Sequence, residues 1–177
     1  MNSLCRLLIV AIGSVALSAC GLQPLYSGGG ASGVAQGLAG VEVPAIPGRG
    51  GWLVRNALNE KLGVAGERAA AYRLDVRLDD SLEALGVLND DTISRERRIL
   101  RARYQLIDLA SGEILLDATD GTDAGIDVVS SEYAVIAAEQ SALENLATEL
   151  ADRMATRIAL TLRERAREGG ETPQPAQ

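Results

Sequence analysis

The chain has 177 residues, of which 47% are hydrophobic and 23% charged, the balance of a globular protein with room for one domain. This excludes a disordered polymer, a coiled-coil rod and a multi-pass membrane protein. Seventeen basic against 24 acidic side chains give a net charge of −7, the opposite of the basic excess a nucleic-acid binder carries, so no nucleic-acid partner is expected. There is no His, which removes the commonest general base and the commonest metal ligand together.

Residues 1–19 read as a secretory signal. Arg6 and the α-amino group form the positive end, and Leu7 to Leu17 is an apolar run shorter than the ~20 residues of a membrane span. Leu17-Ser18-Ala19-Cys20 then resembles a bacterial lipobox, in which cleavage leaves Cys20 as the acylated first residue. The bland alternative is an ordinary signal with an incidental Cys. Cys5 lies in the removed segment, so Cys20 is the only mature thiol and intramolecular disulfides are excluded. The mature chain has 158 residues, with sixteen basic against 24 acidic side chains. Gly21 rather than Asp after the Cys leans towards the outer membrane.

Residues 20–40 read as the lipidated Cys followed by a tether. Ser27 to Gly40 carries six glycines and spans on the order of 20 Å as a flexible chain. A phosphate-cradling loop would need a following Gly-Lys-Ser/Thr, which is absent. The domain is expected over 41–168. Val41-Glu42-Val43, cut by Pro44 and Pro47, reads as a short edge strand. Gly51 to Leu62 places Val54, Leu58 and Leu62 on one helical stripe, ended by Gly63.

Tyr72 to Asp79 alternates strictly, with Tyr72, Leu74, Val76 and Leu78 inward. Residues 80–90 read as a connection. The alternation returns from Thr92 to Asp108, with Leu100, Ala102, Tyr104 and Leu106 inward. After the Ala110-Ser111-Gly112 turn, Ile114, Leu116 and Ala118 continue inward. A long helix follows, capped by Ser130 or Ser131, whose stripe is Ile136, Leu143, Ala147, Leu150, Met154 and Ile158. Residues 169–177 read as a disordered tail. The order β-α-β-β-β-α, with one apolar face per element, predicts an α+β two-layer sandwich. A four-stranded mixed sheet would carry both helices on one face.

No enzyme, cofactor or metal is expected. Without His there is no Ser-His or Cys-His pair, and the doublets Asp79-Asp80 and Asp90-Asp91 read as solvated turn residues. The unusual feature is an arginine cluster at 95, 97, 98, 101 and 103. Alternate residues lie ~6.6 Å apart on one strand face, so Arg95, Arg97, Arg101 and Arg103 form an outward ladder suited to phosphates. Cross-strand neutralisation by Asp75, Asp79, Glu113 and Asp117 is the competing reading, and both stay open in the sequence.

Cys20-Gly21-Leu22-Gln23-Pro24-Leu25-Tyr26 resembles the Cys-Gly-x-Gln-Pro-Leu-Tyr opening of the lipopolysaccharide-assembly lipoprotein family, LptE-like, in its alphaproteobacterial form. Arg55-Asn56-Ala57-Leu58 and the stretch from Tyr133 to Leu150 are similar as well, and the element order agrees. The Gly-rich insert departs from many relatives. The resemblance implies an outer-membrane lipoprotein facing the periplasm, partnered with a large LptD-like β-barrel that it plugs and helps assemble. It also implies lipopolysaccharide as ligand, for which Arg95, Arg97, Arg101 and Arg103 are the candidate residues. An auxiliary lipoprotein of a lipid-trafficking ABC transporter, with a similar anchor and body, is the alternative.

Overall fold

The computed structural model describes residues 37–63, 69–85 and 95–170. Cys20, most of the tether, Asp90-Asp91 and the tail beyond Gly170 lie outside the described residues.

The elements follow the expected order. They are β1 (Val41–Glu42), α1 (Gly48–Leu62), β2 (Tyr72–Ala84), β3 (Arg95–Asp108), β4 (Ile114–Asp127) and α2 (Glu132–Gly170). A helical turn at 37–39 precedes them. The sheet order is β1-β2-β3-β4, with β1 parallel to β2 and the other pairs antiparallel. This is the expected mixed sheet. β1 stays short because Pro44 follows it closely and because Arg55 Nε donates to the Val43 carbonyl at 2.9 Å.

One face of the sheet meets both helices. Leu74, Leu100, Ala102, Tyr104 and Leu106 from the strands join Val54, Leu58 and Leu62 from α1 and Leu143, Leu150, Met154 and Ile158 from α2 in one buried cluster. Val76 and Leu78 pack against it, partly buried. Period two and period 3.6 thus converge on one core, where each large side chain contributes roughly 1.5–3 kcal/mol. Leu38, expected in the tether, is 2% exposed and belongs to this core. A Cβ on Gly37 would stand 3.6 Å from Leu162 Cδ1, so the chain enters the body beside the end of α2.

Helix ends follow their local chemistry. α1 begins at Gly48, earlier than the stripe suggested, and stops at Gly63, whose φ of 67° suits the left-handed cap. Ser131 precedes α2, and its carbonyl accepts from Ala134 N at 3.0 Å. α2 has 39 residues and is about 58 Å long.

Three assignments change. β2 continues to Ala84, so Asp80 stands in a strand and not in a connection, and the Asp79-Asp80 doublet is not in a turn. A register irregularity at Leu106/Ile107 makes Ile107 pair with Ile114 while Leu106 pairs with Leu116. The extra residue, Leu115, turns Ile114 to the outer face, where it is 52% exposed. Ile136, on the line of the α2 stripe, is 45% exposed. It flanks a cleft of about 330 Å³ between the starts of the two helices.

Candidate functional site

The uncovered face of the sheet is the candidate site. Strand register fixes its members, since residues directly opposite in an antiparallel ladder share a face. Among the described residues it carries six cations: Arg73, Arg77, Arg95, Arg97, Arg101 and Arg103. It also carries seven carboxylates: Glu42, Asp75, Asp79, Glu83, Asp117, Asp123 and Asp127. The face is therefore nearly balanced, with one acid in excess, and its chemistry depends on which charges are paired.

Three of the four ladder arginines are paired, all to β4. Arg95 Nε lies 3.1 Å from Asp127 Oδ1. Arg97 meets Asp123 Oδ2 through Nε at 2.9 Å and Nη2 at 2.8 Å. Arg103 donates to Asp117 at 3.3 and 3.1 Å, and Gln105 Nε2 donates to the same carboxylate at 2.8 Å. The hydrogen bond from Arg103, then that from Gln105, holds the Asp117 carboxyl below the usual range. The Arg103 guanidinium is correspondingly raised, chiefly by its hydrogen bond to Asp117.

Of the four acids expected opposite the ladder, only Asp117 bonds to it. Asp75 accepts from Arg73 Nη2 at 3.2 Å. Glu113 is paired with Arg165 at the far end of α2, which lowers its pKa through the hydrogen bond first. Asp79 stands across from Arg101 in register, with no hydrogen bond or ion pair to it. Asp123 and Asp127 do the pairing instead. The signal for them was the repeated Asp in the stretch from Asp117 to Asp127, interrupted by Gly121 and Gly125, which look like strand breakers.

Arg101 is different. Among the described residues it has no acid bonded to it, and its side chain lies along Gly121, where an added Cβ would meet Cγ and Nε at 3.8 Å. Arg77 is likewise without a bonded acid and stands directly across from Arg103, a like-charge pair. Arg77 and Arg101 are diagonal neighbours, about 7–8 Å apart along the ladder and within reach of each other's long side chains. A depression of about 300 Å³ lined by Asp75, Arg77, Arg103 and Gln105 opens beside them. Two guanidiniums with spare donors can hold one anion.

Arg98 faces the helix side and has another task. It donates to both Asp80 oxygens at 2.9 and 2.7 Å and to the Glu139 carbonyl at 3.4 Å. The Asp80 hydrogen bond raises the guanidinium against the opposing effect of burial. Asp80 Oδ2 lies 3.4 Å from the position of a Cβ on Gly50, close to the start of α1. α1 has no acid in its first turn and no side-chain cap, so Asp80 supplies the negative charge its N-terminus favours.

No group of three or more His, Cys, Asp or Glu able to hold a metal occurs among the described residues. No described helix is long and apolar enough to cross a membrane.

The profile of the LptE lipopolysaccharide-assembly family matches residues 38–158. The chain belongs to the LptE family. The matched span is the two-layer body itself, from Leu38 in the core to Ile158 on the α2 stripe. Solved lipoprotein structures share the architecture. A Caulobacter crescentus chain described as a lipoprotein superposes with a TM-score of 0.62 at 26% identity, over 74% of this chain and 96% of that one. Rare lipoprotein B from Shewanella oneidensis gives 0.54 at 14% identity, over 68% and 92%. A minor lipoprotein from Acinetobacter baumannii gives 0.51 at 16% identity, over 68% and 88%. The last two are alike in fold alone. No curated protein matches the chain at a significant level. Membership in the LptE family makes this an outer-membrane lipoprotein of the lipopolysaccharide-assembly class.

Proposed function

We propose that this LptE-family chain is anchored by acylated Cys20 after removal of residues 1–19. It then acts with a large outer-membrane β-barrel to assemble lipopolysaccharide at the cell surface. The family match over 38–158 carries the reading. The open sheet face supports it: the lumen of such a barrel is polar, and a nearly balanced lattice of arginines and carboxylates is suited to a polar wall. Within this reading the outward ladder contacts lipopolysaccharide phosphates. The capacity for a new anion rests on Arg101 together with Arg77, because Arg95, Arg97 and Arg103 already hold carboxylates.

Affinity purification from detergent-solubilised outer membranes tests the partnership. A stoichiometric β-barrel is expected in the eluate, and its surface assembly should fall when the lipoprotein is depleted. Recovery of an inner-membrane ABC transporter in its place, with barrel assembly unchanged, would overturn the proposal.

A further inference from the structure

Most of the outer sheet face is charged, but one corner is apolar. Ile107 and Ile114 pair across β3 and β4, and Leu109 opens the turn just beyond β3, its N–H on the Ala71 carbonyl. Leu109 is 43% exposed and Ile114 52%. Ile114 is outward only because of the bulge at Leu115. The acids beside it are engaged. Asp108 Oδ1 accepts from Ala110 N at 2.8 Å and Ser111 N at 3.3 Å inside the turn, and Glu113 is paired with Arg165. The hairpin tip thus presents two large aliphatic side chains without a free carboxylate next to them.

The tip also stands where the anchored end of the chain arrives. Leu109 N–H donates to the Ala71 carbonyl at 3.0 Å, and Ala71 N–H donates to the Gly40 carbonyl at 2.9 Å. Two hydrogen bonds therefore connect the tip to the entering strap. Sixteen residues separate Cys20 from Gly37, a number whose reach by the statistics of a Gly-rich chain is about 20–25 Å. Trp52 and Tyr133, both exposed, lie near the N-termini of α1 and α2, towards the opposite end of the body.

We propose that the β3–β4 hairpin tip, through Leu109 and Ile114, rests in the interfacial layer of the bilayer that holds the lipid anchor. The inference builds on Cys20 as the attachment point and describes the lipoprotein before it engages a barrel. Two weak membrane signals on one chain act together, because the anchor holds the second at high effective concentration.

The test uses the mature chain with its Cys20 thiol coupled chemically to a maleimide lipid, which places the anchor whether or not the cell acylates that residue. The vesicles are phosphatidylcholine brominated high on the acyl chain. Trp52 is the only tryptophan, so the natural chain reports the opposite end. L109W and I114W in a W52F background report the tip. A blue shift and loss of intensity at 109 and 114, with Trp52 unquenched, is the expected result. No quenching at the tip, or equal quenching at all three positions, overturns the proposal. Acyl labelling of Cys20 in cells is read separately, so failure of the anchor assignment is not confused with failure of the tip.

Discussion

Tyr104 on β3 donates its phenolic hydrogen to Asp120 on β4 at 2.5 Å, across a diagonal of the ladder and on the helix side of the sheet. Asp120 in turn accepts from Arg157 of α2 at 3.0 Å. The three residues bind strand, strand and helix at the margin of the core, where Tyr104 is 1% exposed. D120A leaves a buried hydroxyl without its partner, a change that costs roughly 1–3 kcal/mol. Chemical denaturation of the variant should show that loss with an unchanged denaturant slope.

The same contact predicts a pH response. Burial first, and then the Asp120 hydrogen bond, raise the Tyr104 phenol well above its ordinary value. The stabilisation is complete below pH ~10, where an unfolded tyrosine is still protonated. It is lost as pH rises from there towards the folded value. Ultraviolet titration should therefore show Tyr104 ionising only with unfolding. Ionisation of all tyrosines in one step, with the fold intact, would contradict the assignment.

At low pH the sign reverses. Asp117 and Glu113 are held below the usual carboxylate range by their arginine partners. Their contribution is present above pH ~4 and disappears as pH falls through the lowered values. Both are solvent-exposed, so the effect on thermal melting should be small. R103Q should reduce the part due to Asp117, leaving what the Gln105 hydrogen bond supplies.

Two adjacent glycines separate backbone from packing. A Cβ on Gly51 would stand 2.5 Å from the Ile46 carbonyl oxygen, whereas one on Gly50 meets its nearest atoms at 3.4 Å. G50A should gain helix propensity, up to ~1 kcal/mol. G51A should be destabilised despite the same propensity gain, and equal melting temperatures for the two would count against the placement of Ile46.

L150A should cost about 2–5 kcal/mol, since Leu150 is fully buried between the layers. On the open face, R101Q, which sets no second acid across from Asp79, should melt like the parent but lose salt-sensitive retention of lipopolysaccharide. R97E should mainly lose stability, because it sets a glutamate against Asp123. Retention of lipopolysaccharide by folded R101Q rules out the anion role of Arg101.

The alternation of β2 and β3 and the α2 stripe from Leu143 to Ile158 were legible because period and burial agree there. Ile114 was not: a bulge shifts the face of every residue before it without altering composition. Ile136 has the right helical phase but lies beyond the part of α2 that α1 and the strands cover. The partners of the arginine ladder required the register of β4. That strand reads as ended near Ala118, because Gly121 and Gly125 lack the side chains that mark a pattern. Those two glycines are also what lets the arginines of β3 lie across β4.

A face with six cations interleaved among seven carboxylates has only a weak long-range field of its own, whatever the net charge of the whole chain. Beyond a Debye length of about 8 Å at physiological salt, an approaching surface meets little attraction or repulsion from it. Encounter with a partner on this side is then limited by orientation, with association rates near the unsteered range of about 10⁵–10⁶ M⁻¹s⁻¹ and little dependence on ionic strength. Recognition becomes a matter of registering individual charges at contact distance. In such a lattice, displacing one ion pair sideways by a single strand position does more harm than removing it.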